Sequence, residues 1–85
     1  MIRVAICDDD IEKGKWIYSQ VHDLINRYIG NYEIQLFTSS KSLLYEIEDG
    51  MDFELLLLDI EMPELDGMKL TEIIKTYLPD VLIMF

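Results

Sequence analysis

Four short apolar runs, separated by segments of helical spacing, constrain this chain more than any other feature. Residues 2–7, from Ile2 to Cys7, read as a β-rich run that stops abruptly at Asp8-Asp9-Asp10. In the next segment Ile17, Val21, Leu24, Ile25 and Tyr28 fall at i, i+4, i+7, i+8 and i+11, one apolar stripe of a helix. Asp9 or Asp10 can cap its start, with Asp10 the expected cap, and Gly30-Asn31 ends it. Residues 33–38 give a second strand with partial alternation. Ser39-Ser40 opens a second helix carrying Leu43, Leu44 and Ile47, which Asp49-Gly50 closes. Residues 53–59 hold the most apolar segment, whose continuous leucine run suits a central strand covered on both faces. Pro63 and Asp66-Gly67 mark a loop. A third helix follows with Leu70, Ile73, Ile74 and Tyr77, Pro79-Asp80 breaks it, and residues 81–85 form a last apolar strand.

The order is therefore βαβαβαβ with short loops. Strands alternating with helices imply parallel pairing and right-handed crossovers, so the expected fold is an open α/β sheet with helices on both faces. The 85 residues allow one domain. An apolar share of 51% excludes a wholly disordered chain. The net charge of −10 has the wrong sign for gripping phosphate backbones, so no nucleic acid is expected to bind this chain alone. The longest aliphatic run, Leu55 to Leu58, is far too short to span a bilayer, and no signal peptide is visible. A single cysteine, Cys7, excludes an internal disulfide; it fits a reducing cytosol and reads as a small core residue. A cytoplasmic location is expected.

The candidate chemistry lies in two acidic positions that follow apolar strands. Asp8, Asp9 and Asp10 end the first strand, and Asp59 ends the third. In doubly wound sheets ligands bind outside the carboxyl ends of strands, where the strand order reverses. If those two strands are neighbours there, the carboxylates converge. Crowded carboxylates raise one another's pKa values unless a cation sits among them, and an oxygen-only site suits Mg²⁺. A carboxylate can also act as a nucleophile towards a phosphoryl group, so the residues can support an aspartyl-phosphate site.

The run Val4-Ala5-Ile6-Cys7-Asp8-Asp9-Asp10, taken with the spacing Asp59-x-x-x-Pro63-x-x-x-Gly67, resembles the receiver domain of two-component response regulators. The resemblance implies a flavodoxin-like, three-layer parallel sheet with strand order 2-1-3-4. It implies that Asp59 is the phospho-acceptor, that Asp9 binds the metal directly, and that Asp8 is its acidic neighbour. Glu61 would offer its backbone carbonyl to the Mg²⁺, with Pro63 and Gly67 shaping the loop. The implied partner is a sensor histidine kinase. The stretch from Asp59 to Met68 is also reminiscent of regulators with LytTR-type DNA-binding domains, so a DNA-binding output domain is an expectation for the parent protein. Residues 1–85 would be a partial receiver, a truncated (βα)₃β unit lacking helix 4, strand 5 and helix 5. The family's Thr or Ser after strand 4 and its Lys after strand 5 are absent, and Lys69 and Lys75, on the third helix, cannot take that role. Phosphorylation would then be impaired.

Two other readings compete. Asp8-x-Asp10 superficially matches the Asp-x-Asp of haloacid-dehalogenase-type phosphatases, but Glu12 fits that pattern poorly and the Asp59–Gly67 spacing goes unexplained. Alternatively the chain is an interaction module that never carries phosphate and self-associates, as a dimer or larger, through the uncovered edge of the last strand. Elsewhere the bland readings prevail. His22 is expected to be a solvated surface histidine, Trp16 and Tyr18 to flank the helix stripe, the methionines to fill the core, and Glu46, Glu48 and Asp49 to face solvent.

Overall fold

The computed structural model describes residues 1–28, 30–59 and 67–85. The elements run β1 (Ile2–Cys7), α1 (Ile11–Tyr28), β2 (Tyr32–Phe37), α2 (Ser40–Glu48), β3 (Leu55–Leu58), α3 (Gly67–Tyr77) and β4 (Leu82–Met84). All strand pairs are parallel, in the order β2-β1-β3-β4. This is the flavodoxin-like arrangement that the resemblance to receiver domains implies.

The pleat of β1 sorts its side chains between two layers. Ala5 and Cys7 face one side, where they join Leu43 and Ile47 of α2, Leu56 and Leu58 of β3, and Leu70 and Ile74 of α3 in one buried cluster. Phe37 and Phe53 meet edge to face beside it, with ring centroids 6.2 Å apart. The alternate residues Val4 and Ile6, also fully buried, point to the α1 side. There α1 lies so close over β2 that a Cβ on Gly14 would stand 2.8 Å from Leu36 Cδ1.

The helix ends follow their local chemistry. Ser39 caps α2 by accepting from Ser42 N–H at 3.1 Å. Gly50, at φ 101°, takes the left-handed turn that ends the same helix. Gly30, at φ 90°, does so just beyond α1, with its N–H donating to Ile25 O.

Several expectations are corrected. The strands are shorter or shifted: β2 begins at Tyr32, β3 keeps only four residues, and β4 three. Of the α1 stripe Ile25 is buried, whereas Leu24 is 61% and Tyr28 72% exposed. The helix leans over β1 and β2, which leaves those two on the rim of an apolar groove that runs to Leu55. For the same reason β3 is fully covered only on the α2–α3 side, where Leu56 and Leu58 lie, while Leu55 and Leu57 are half-buried. The third helix buries Leu70 and Ile74 but leaves Tyr77 half in solvent. Met1, Met68 and Met84 are exposed, so they do not fill the core; Met51 packs against it. His22 is half-exposed and sits between two tyrosines, 6.4 Å from the Tyr18 ring and 5.5 Å from that of Tyr32.

Candidate functional site

The chain passes from β1 outward to β2 and then back across to β3, so strand order reverses between β1 and β3. Cys7 pairs in register with Leu58. The next residues, Asp8 and Asp59, therefore leave the sheet level with each other at its carboxyl edge. Backbone bonds fix both: Asp8 N–H donates to Phe37 O, and Asp59 N–H to Cys7 O, each at 3.0 Å.

The three acids after β1 have separate tasks. Asp8 is buried, and its Oδ1 accepts the Asp10 N–H at 3.0 Å, closing a tight Asx turn. Asp9 is exposed at the mouth of the site. Asp10 caps α1, its Oδ1 accepting from Glu12 N–H at 3.1 Å and Lys13 N–H at 3.3 Å. One carboxylate oxygen from each of Asp8, Asp9 and Asp59 lies within 4.8 Å of the others. Asp10 is thus a helix cap, and Asp8, Asp9 and Asp59 form the cluster.

Burial is the largest influence on Asp8 and pushes its carboxyl above the usual range, and the nearby Asp59 charge pushes the same way. The Asp10 N–H and Lys13 act against this without reversing it. Asp8 Oδ2 is buried without a hydrogen-bond partner. A buried carboxylate oxygen that accepts no hydrogen bond is costly in a protein interior, and a cation close by relieves that cost. The donor set is all oxygen and hard, and one member is exposed to admit water ligands. The residues present therefore fit Mg²⁺.

Lys13, which the sequence reading overlooked, enters the same site. Its Nζ stands 3.7 Å from Asp8 Oδ2 and 3.8 Å from Asp59 Oδ1. Its signal in the sequence is position: three residues past a helix cap, a long side chain can turn back over the end of the preceding strand. These groups line a depression of about 360 Å³ that continues past Ile17 to Met84 and Phe85. Lys75 serves elsewhere, its Nζ donating to Val81 O at 2.5 Å and tying α3 to the start of β4. Glu61 and Pro63 lie outside the described residues, and Gly67 is the first residue of α3. Among the described residues no helix is long and apolar enough to cross a membrane.

Comparison with known proteins agrees with this geometry. The family model described as response regulator receiver domain matches residues 4–85. The transcriptional regulatory protein NatR of Bacillus subtilis is 35% identical over the whole chain, which spans 34% of NatR's own length. An uncharacterised protein from Neptuniibacter caesariensis is 30% identical, with a TM-score of 0.68 over 94% of this chain and 54% of that one. The response regulator RcsB of Salmonella typhimurium shares the fold at 23% identity, with a TM-score of 0.72 over 99% of this chain and 42% of that one.

Proposed function

The chain belongs to the response regulator receiver domain family, and on that premise we propose that Asp59 accepts a phosphoryl group from a sensor histidine kinase, with Mg²⁺ held by Asp8, Asp9 and Asp59. The observation that carries this reading is the buried Oδ2 of Asp8, which accepts no hydrogen bond and lies level with Asp59 at the β1–β3 reversal.

An Asp59 carboxylate oxygen attacks phosphorus in line. The bond from phosphorus to the donor's nitrogen or oxygen breaks, and the leaving group keeps the electron pair. The bound ion would neutralise charge on the phosphoryl oxygens. Asp8, anchored through Asp10 N–H, presents Oδ2 in a fixed direction. Asp9 keeps the outer side wet, and the ladder bond from Asp59 N–H to Cys7 O holds the acceptor at the strand end. The family resemblance would add the backbone carbonyl of Glu61 as a further ligand, a residue that, like Pro63, lies outside the described residues. The domain is a regulatory acceptor, not a turnover phosphatase, and the use of Asp10 as a helix cap counts against an Asp8-x-Asp10 phosphatase. Where the receiver forms part of a longer regulator, its output is transcriptional, as the name of NatR suggests.

Incubation with acetyl phosphate and Mg²⁺, followed by intact-mass measurement, tests this. One phosphoryl group is expected on the wild-type chain, and none on Asp59→Asn or in excess EDTA. Wild-type protein that is folded yet gains no mass, or Asp59→Asn that gains as much as wild type, refutes the proposal.

A further inference from the structure

The ammonium of Lys13 stands between the two carboxylates that matter most, 3.7 Å from Asp8 Oδ2 and 3.8 Å from Asp59 Oδ1. Its Asp8 partner is buried, while the Lys13 side chain is half in solvent. Both separations exceed those of a tight, charge-assisted hydrogen bond, about 2.8 Å. Lys13 is therefore held by charge on a flexible four-carbon stem and can swing out without breaking the helix. A divalent cation seated on Asp8 Oδ2 and Asp59 would meet that ammonium at close range, and like charges so placed repel.

We propose that Lys13 is a positioning residue that acts as the site's resident counter-cation: it occupies the place between Asp8 and Asp59 until a divalent ion displaces it, and so sets the Mg²⁺ concentration at which Asp59 becomes ready to accept a phosphoryl group. This inference rests on the reading of Asp8, Asp9 and Asp59 as the Mg²⁺ ligands. Removal of Lys13 takes away a competitor and leaves the carboxylates repelling one another, and both effects favour the ion.

Calorimetric titration of Mg²⁺ alone into wild type, Lys13→Met and Lys13→Arg, at fixed ionic strength, reads the effect directly. Lys13→Met should bind Mg²⁺ about 2–5-fold more tightly, the range of a half-exposed ion pair. The Mg²⁺ concentration giving half-maximal phosphorylation by acetyl phosphate should fall in the same ratio, and Lys13→Arg should stay near wild type. A merely structural lysine would move neither quantity. Lys13→Gln provides a second neutral variant should Lys13→Met fail to fold. Unchanged or weaker Mg²⁺ binding in the neutral variants, or Lys13→Arg behaving as they do, overturns the proposal. If wild type is phosphorylated while the neutral variants match its Mg²⁺ affinity, this inference alone falls. If wild type neither binds Mg²⁺ nor gains phosphate, the ligand assignment falls with it.

Discussion

Asp8 shows how one residue trades stability for a binding site. Its carboxyl is buried, one oxygen has no hydrogen-bond donor, and burial raises its pKa in the folded chain. An acid whose folded-state pKa lies above the unfolded value binds its proton more tightly when folded. Its contribution is greatest at low pH and is lost as pH rises through the folded value. Asp8→Asn should therefore raise the melting temperature of the metal-free chain at neutral pH by a few degrees, since Asn keeps the Oδ1 acceptor for Asp10 N–H. The gain should vanish below the ordinary carboxylate range, and the stabilisation that Mg²⁺ gives wild type should be missing. Thermal melts across pH, with EDTA and with Mg²⁺, check both parts; a variant less stable than wild type at neutral pH would contradict them. That three acids follow the first strand is plain in the sequence. Which one is buried, which is exposed and which caps the helix is not, because adjacent identical side chains differ only in the directions the folded backbone gives them.

At the scale of elements, α1 connects the fold to the site. Asp10 starts the helix, Lys13 leaves its first turn towards the acids, and Gly14 lets the next part of the helix close onto Leu36 of β2. The cap is separable from the chemistry. Asp10→Ala should cost about 1 kcal/mol of stability, the usual loss of an N-cap. It should still allow Asp59 to be phosphorylated, and a chemical-denaturation curve paired with the acetyl phosphate assay reads both. Loss of phosphorylation in a folded Asp10→Ala chain would reopen the Asp8-x-Asp10 reading. The helices were legible from their period of apolar residues and from their stop signals at Gly30 and Gly50. Their coverage was not. Leu24 and Tyr28 lie on the same stripe as Ile25, yet only Ile25 is buried, because the tilt of α1 towards β2 decides which part of the stripe meets the sheet.

For the whole molecule, the four parallel strands hold a two-sided core in a chain whose net charge is −10. Leu82, Met84 and Phe85 are all exposed at the β4 edge of this sheet. Apolar side chains beside unpaired strand groups favour pairing with another chain. The 85-residue chain by itself is expected to scatter light as a species larger than a monomer, and Leu82→Lys with Met84→Lys to return it to one; a monomeric wild type at high concentration would refute this. The sequence by itself determined the order of elements, the parallel fold and the acids that end β1 and β3, since residue period and apolar runs are local properties of the chain. The tertiary structure decided the register of Cys7 with Leu58, which sets Asp8 level with Asp59, and the seating of Lys13 between them. Both depend on contacts between residues distant in the chain or brought back across the sheet by a helix, and no local pattern encodes where such residues meet.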